Sequence, residues 1–261
     1  MLEASAEIAI SNIMTAEVTY PNAPIAEAIL DIRVTPRGAT PDVFDHLAEF
    51  VKAHHAQYPQ VAELQIGTAT VVMGMEAPAA SAQTSKSGFI AFTSDRKRSV
   101  QARIDGFSAS RLTPYIDWHD LSSETRRLWT SYREMTDPPL ITRIALRYIN
   151  RINIPLPIAD LKDYFRTIPE ISPDLPQGVS NFFMQLYLPQ HDLNAMCILN
   201  LTMLPPISKD VTSILFDIDL FRISAVPQPE SEIWDAFDDI RDRKNKIFEA
   251  SITDKARELF F

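Results

Sequence analysis

The stretch from Leu140 to Pro155, LITRIALRYINRINIP, constrains the fold more than any other part of this 261-residue chain. Its apolar residues fall largely on alternate positions, and its arginines fall on the positions between them. Because a β-strand turns successive side chains to opposite faces, this pattern predicts a long strand with one face on a core. The apolar face carries Ile144, Leu146, Tyr148, Ile152 and Ile154, and the opposite face carries Arg143, Arg147 and Arg151.

The rest of the chain predicts further strands and helices in an order typical of an α+β fold. Strands are expected at 25–34, 61–74, 88–94, 99–112, 181–189, 194–204 and 211–224. Helices are expected from residue 42, over 118–135 and 159–168, and over 231–260. The small polar segment 76–88 predicts a surface loop. We therefore expect an extended, mostly antiparallel sheet of roughly eight strands, covered by helices on one face.

Both halves of the chain predict the order β-α-β-β-β-α, which suggests a tandem duplication. Pro24 and Pro139 open the first strand of each half, and Trp118 and Trp234 open the last helix of each half. Chance recurrence stays open, since Pro and Trp often mark such boundaries. The division is then a flexible leader (1–19), a first repeat (20–137) and a second repeat (138–261) that share one sheet. The shape resembles TATA-box-binding-protein-like saddles, and more loosely the helix-grip fold, without implying their function.

Four segments carry a family resemblance that spans the chain from about residue 20 to its end. They read NAPIAEAILDIRV, SRLTPYIDWHDL, RIALRYINRINIP and KNKIFEASITDKARELF. In these segments the chain resembles a sporadically distributed family of uncharacterised bacterial proteins. The family has no assigned activity or catalytic residues, so the resemblance implies one full-length unit and supplies no site. Its patchy distribution suggests a partner-dependent role, such as a subunit of a defence-associated assembly.

Composition excludes several classes of function. With 25 basic and 34 acidic residues the net charge is −9, which disfavours nucleic acids and anionic membranes as partners. The six glycines are dispersed, so the clustered glycines of a phosphate loop or dinucleotide site are absent, and no cofactor is expected. A single cysteine, Cys197, and an N-terminus without a signal-peptide pattern predict a cytoplasmic protein. No apolar stretch approaches the length of a membrane span.

The polar face of the predicted sheet is the best candidate for a site. Its charged residues are Glu27, Asp31, Arg33, Arg103, Arg143, Arg147 and Arg151, with Asp217 and Asp219 on a later strand. One interpretation is a solvated face with cross-strand ion pairs, each contributing about 0.2–1 kcal/mol. Another is a groove whose guanidinium groups bind a carboxylate, a phosphate or an acidic peptide.

These residues lead to three hypotheses about function. The first is a non-enzymatic interaction protein that binds a small anionic ligand or an acidic segment of a partner through Arg143, Arg147 and Arg151. The second is a metal-dependent enzyme for phosphoryl transfer or hydrolysis, with Asp217 and Asp219 as ligands together with Glu27 or Asp31. The third is a structural subunit of a larger assembly. No catalytic residue is assigned.

Overall fold

The computed structural model describes residues 19–36, 38, 40–72 and 79–261. The predicted leader therefore lies outside the described residues, apart from its last position. The strands are β1 (Ile25–Val34), β2 (Gln60–Val72), β3 (Ala79–Phe92), β4 (Arg98–Arg103), β5 (Gly106–Leu112), β6 (Ile141–Pro155), β7 (Phe183–Gln190), β8 (Ala195–Ser208) and β9 (Val211–Arg222). The helices are α1 (Pro41–Ala53), α2 (Trp118–Thr136), α3 (Glu230–Ser251) and α4 (Asp254–Glu258), with short 3₁₀ helices at Leu161–Asp163 and His191–Leu193.

The described strands form one nine-stranded antiparallel sheet in the order β2-β3-β4-β5-β1-β6-β9-β8-β7. The α+β class predicted from sequence is confirmed. The arginine-bearing strand β6 lies next to the middle strand of the sheet, β1, and pairs with β1 from the first half and β9 from the second. The β1–β6 pairing makes the sheet continuous across residues 137 and 138, the predicted boundary between the halves.

The core lies between the sheet and the helices. Helix α2 packs on β5 and β1, α3 packs on β6 and β9, and α1 packs on β3, β4 and α2. Alternate residues of the central strands point into this layer and are buried, as the period-two pattern predicts. They include Leu30 and Ile32 on β1, Ile144 and Leu146 on β6, and Ile218 on β9.

Two segments of the first half differ from the sequence predictions. Residues 79–87, expected in a surface loop, belong to β3, where main-chain pairing with β2 holds a polar stretch that has no apolar alternation. Residues 99–112, expected as one strand, form the hairpin β4–β5, whose two turn residues are Ile104 and Asp105. Gly106, the first residue of β5, has φ +152°, and a Cβ there would lie 2.3 Å from the Ile32 carbonyl oxygen, so the close approach of β5 to β1 requires glycine.

Two predicted helices of the second half are shorter than expected. The helix expected over 159–168 is only the 3₁₀ helix Leu161–Asp163. The helix expected over 231–260 breaks at Ile252, which forms a β-bridge with Phe165, and Thr253 then caps α4 through a hydrogen bond from the Ala256 N–H. Among the described residues the first half has five strands and the second half four, and the duplication stays a prediction.

Candidate functional site

The open face of the sheet is the side opposite the helices, and β6 places all three of its predicted arginines there. Buried residues alternate with Arg143, Arg147 and Arg151, so the side chains of all three arginines point away from the core. The neighbouring strands contribute Glu27, Asp31 and Arg33 from β1 and Asp217 and Asp219 from β9 in the same register. The predicted site residues therefore share one surface.

Asp31 is the centre of an ionic network on the open face. Its carboxylate accepts hydrogen bonds from Arg33 Nε at 3.1 Å, Arg103 Nη2 at 2.7 Å and Arg143 Nη1 at 3.0 Å. Arg143 also contacts Asp219 at 3.2 Å, and Arg33 contacts Asp105. The Asp31 side chain is only 13% exposed, so three strands are connected through a partly desolvated carboxylate.

A second chain of polar contacts runs outward from Arg147. Its Nε and Nη2 donate to the two carboxylate oxygens of Asp217, both at 2.8 Å, which is the bidentate geometry of an arginine–carboxylate pair. This hydrogen-bonded pair raises the pKa of Arg147. Asn200 donates to Asp217 at 3.0 Å, and Gln185 donates to Asn200 at 2.8 Å. The chain reaches from the middle of the sheet to its β7 edge.

Arg151 differs from the other arginines of the open face. Its Nε donates to the Ser213 hydroxyl at 3.2 Å, and that hydroxyl donates to Asn153 at 2.8 Å. Among the residues that the structure describes, no carboxylate lies within ion-pair distance of Arg151. The exposed guanidinium therefore keeps a net positive charge at the margin of the network. Glu27 lies at the same margin, opposite Ile149 and near Arg147.

The two exposed arginines of β6 each begin a row of side chains that crosses the second half of the open face. The cross-strand register places Arg147, Asp219, Ile198 and Tyr187 in one row. It places Arg151, Leu215, Thr202 and Phe183 in the other. Both rows end in an exposed aromatic side chain, Phe183 at 66% and Tyr187 at 60% exposure. Arginine and aromatic residues together are the composition that protein interfaces favour.

The carboxylates of this face are better placed for ion pairing than for metal binding. Asp217 is held by Arg147 and Asn200, and Asp219 is held by Arg143. Burial raises the pKa of Asp219, an effect that Arg143 and Arg147 oppose. Within the described part of the chain, no three His, Cys, Asp or Glu side chains come together as a metal site.

The open face is shallow. A depression of about 590 Å³ on this face is lined by Ile29, Asp31, Arg33, Val34, Asp105, Thr142, Arg143, Ala145, Arg147 and Asp219. The lining is mostly the ionic network itself. Such a surface can contact an extended segment along its length, but it does not enclose a small molecule as typical ligand pockets do.

Sequence reasoning missed a second ionic cluster, the covered cluster, which consists of Tyr58, Arg98, Arg111, Asp120 and Glu124. Glu124 of α2 accepts hydrogen bonds from the Tyr58 hydroxyl and from Arg98, both at 2.7 Å, and from Arg111. Asp120 accepts from Arg111 Nε at 2.8 Å and from Arg98 Nη2 at 3.0 Å. The available signal was the i, i+4 spacing of Asp120 and Glu124 on the predicted helix.

Sequence reasoning also missed a buried lysine on the sheet-facing side of α3. Lys244 is 8% exposed, and its Nζ lies 3.8 Å from the centroid of the Tyr148 ring. Burial lowers its pKa to about 7. Tyr148 in turn shares a 2.8 Å hydrogen bond with Tyr115. Amphipathic periodicity places residue 244 toward the sheet, but a lysine at such a position is ordinarily assigned to solvent.

The comparisons with known proteins add no family or relative. No protein-family model and no curated protein sequence matches this chain. The resemblance of its four segments to a bacterial family stays a prediction. None of the described helices has the length and apolar character that crossing a membrane would require.

Proposed function

We propose that this protein is a non-enzymatic, cytoplasmic interaction protein whose open face binds an extended acidic segment of a partner protein. The observation that carries the proposal is the unequal pairing of the arginines on β6. Arg143 is committed to Asp31 and Asp219, whereas Arg151 has no carboxylate among the described residues. An acidic partner would supply the carboxylate with which Arg151 can form an ion pair.

Arg147 adds a second point of contact for such a segment. Its side chain is 44% exposed, and its bonds to Asp217 use Nε and Nη2. In the described structure Nη1 makes no hydrogen bond, so it can donate to an incoming carboxylate. Arg147 and Arg151 lie four residues apart on one strand face, about 13 Å at a rise of ~3.3 Å per residue. Two acidic residues on an extended chain can span that distance.

The surface beside the two arginines, on β9 and β8, suits the apolar residues of the same segment. Leu215 and Ile198 are partly exposed within the rows that Arg147 and Arg151 begin. A segment that alternates acidic and apolar residues would therefore meet both kinds of contact. A metal-dependent enzyme is less well supported, because Asp217 and Asp219 are already held by arginines and an amide. The hypothesis of a structural subunit is compatible with the same face. It differs from the proposal because it requires no acidic segment in the partner.

Peptide binding tests the proposal directly. A fluorescent peptide of alternating glutamate and valine should bind, as measured by anisotropy, with an affinity that falls as salt rises. The variant with Arg147→Ala and Arg151→Ala should lose that binding and keep its fold. The matched control replaces two exposed lysines away from the open face, Lys52→Ala and Lys209→Ala, and should bind as the wild type does.

Two further measurements separate the hypotheses. An uncharged peptide of alternating glutamine and valine should not bind, which excludes non-specific adsorption to the exposed aromatic residues. If the control variant loses binding to the same extent as the arginine variant, net charge explains the effect and the proposed site is wrong. Stabilisation of the fold by Mg²⁺ that depends on Asp217 and Asp219 would instead favour the enzyme hypothesis.

A further inference from the structure

Strand β7 ends the sheet with an edge that carries no charged side chain. Its sequence, Phe183–Gln190, reads FMQLYLPQ, and no described strand pairs with its outer side. Proteins usually protect such edges with charges, bulges or covering segments, because the free N–H and C=O groups are a template for another strand. The opposite edge strand, β2, carries Glu63 and Gly67. Two copies of a protein with net charge −9 repel each other electrostatically. This repulsion is smallest where the contact surface carries no charge, as at the β7 edge.

The β7–β8 register identifies which main-chain groups face outward. Met203 N–H donates to the Phe182 carbonyl at 3.2 Å, so residues 182 and 203 are a hydrogen-bonded pair of the antiparallel ladder. Hydrogen-bonded pairs recur at every second residue, so Met184, Leu186 and Leu188 point their main-chain groups toward β8. The N–H and C=O groups of Phe183, Gln185 and Tyr187 therefore point away from the sheet.

The same three residues present their side chains on the open face. Gln185 reaches Asn200 there, and Phe183 and Tyr187 flank it at two-residue spacing. The pattern is symmetric about Gln185, with an aromatic side chain on each side. Pro189, which has no N–H to donate, ends the series of outward donors.

We infer that β7 pairs antiparallel with β7 of a second copy of this chain, about a two-fold axis at Gln185. In that register Gln185 faces its counterpart, and Phe183 faces Tyr187 of the other copy. Each facing pair is of the hydrogen-bonded type and exchanges two main-chain bonds, and each aromatic pair adds a cross-strand contact. The two open faces then join into one longer surface.

Neighbouring registers are less favourable. A shift of the axis toward Tyr187 sets Phe183 opposite Pro189, which loses a main-chain bond. A shift toward Phe183 sets Tyr187 opposite Asn181, which lies outside β7. The axis at Gln185 uses all three outward residues and leaves Pro189 beyond the ladder, so the edge complements itself as an isologous dimer interface requires.

Analytical ultracentrifugation of the full chain tests the inference. The wild-type protein should sediment as a dimer that dissociates on dilution. Gln185→Lys sets two ammonium groups across the axis and should raise the dissociation constant at least about tenfold. Gln65→Lys makes the same change on the exposed face of the other edge strand and should leave the dimer unchanged.

A disulfide trap tests the register. Facing residues of a hydrogen-bonded pair have Cα atoms about 5.5 Å apart, within the range that a disulfide spans. Gln185→Cys should therefore give a covalent dimer under mild oxidation, and Gln65→Cys should not. The native Cys197 does not interfere, since it is buried and burial raises its pKa to about 12. A monomeric wild-type protein at every concentration, or a dimer that Gln185→Lys leaves intact, would overturn the inference without affecting the peptide-binding test.

Discussion

The sheet carries arginine–carboxylate clusters on both faces, and the two differ in how completely their charges are paired. In the covered cluster, α2 lies over Arg111 and supplies both Asp120 and Glu124, so the buried guanidinium meets two carboxylates. On the open face no described helix contributes, and all the ion-pairing carboxylates come from the strands or their connecting turns. The first cluster joins the helix layer to the sheet, whereas the second joins strands within the sheet.

Burial explains why the pairing must differ. A charge that is removed from water is costly unless it is paired and hydrogen-bonded, so a covered arginine requires partners. An exposed arginine is solvated and does not require them. Arg111 is 3% exposed and fully committed, while Arg151 is exposed and retains free donors. An arginine without a carboxylate partner therefore costs least on the open face, and that is where a binding function can be located without loss of stability.

The largest effect is expected at Glu124 in the covered cluster. Glu124→Ala removes the carboxylate that Tyr58, Arg98 and Arg111 share, and it leaves the buried Arg111 with Asp120 alone. We expect the free energy of unfolding to fall by about 3–5 kcal/mol, as when a buried ion pair loses one partner. Urea denaturation measures the change. Glu134→Ala, at an exposed position on the same helix, is the control, and an equal loss there would contradict this account.

The next effect is a gain in stability that depends on pH. Lys244 is a covered cation without an ion-pair partner among the described residues; Tyr148 faces it, with Arg241 and Glu249 nearby. Its folded-state pKa, about 7, lies below the ordinary value of 10.5. Between these values the unfolded chain binds more protons, so this residue makes stability rise with pH and disfavours the fold below about pH 7.

Lys244→Met removes that buried charge and keeps the apolar stem. We expect the variant to be more stable than the wild type by roughly 1–4 kcal/mol at pH 6, as when apolar side chains replace buried charges. The advantage should shrink by pH 10, where the wild-type amine is neutral in the fold. Thermal denaturation at both values measures this difference. A variant that is less stable at pH 6 would show that the cation–π contact with Tyr148 outweighs the cost of burial.

On the open face, Asp31 corresponds to Glu124 of the covered cluster, because several arginines share its carboxylate. Asp31→Asn keeps the shape of the side chain but removes the charge that Arg33, Arg103 and Arg143 share. Hydrogen bonds to charged groups contribute about 1.5–3 kcal/mol, and partial solvation limits the loss here to about 1–3 kcal/mol. Urea denaturation beside Asp45→Asn, an exposed change on α1, measures it. A loss as large as that of Glu124→Ala would remove the distinction between the two faces.

The sequence was most informative where a strand alternates between core and solvent. The pattern of residues 140–155 placed Arg143, Arg147 and Arg151 on one face, and the structure has them there. It was least informative where pairing replaces side-chain burial. Residues 79–87 form a strand because β2 pairs with them. The spacing of apolar residues in a sequence does not predict such main-chain pairing.

The partners of each charge could not be predicted either. Arg143 and Arg151 occupy equivalent positions in the alternation of β6, yet only Arg143 meets carboxylates. The difference arises because β1 and β9 carry Asp31 and Asp219 beside Arg143, whereas Leu215 lies opposite Arg151. Strand order and register determine these neighbours, and both are properties of the assembled sheet. The covered cluster was missed for the same reason, since Arg98 and Arg111 face each other only in the β4–β5 hairpin.

The smallest effect on stability is expected at Arg151, and it separates binding from folding on a single strand. Arg151→Ala removes one hydrogen bond to Ser213 and no described ion pair, so the free energy of unfolding should change by less than about 0.5 kcal/mol. Arg143→Ala leaves Asp219 without its ion pair and should cost more than Arg151→Ala in the same urea denaturation. The acidic peptide should respond to Arg151→Ala alone with weaker binding. If Arg151→Ala destabilised the protein by more than about 1 kcal/mol, the guanidinium would have a structural role, and an unpaired charge would no longer distinguish the open face from the covered cluster.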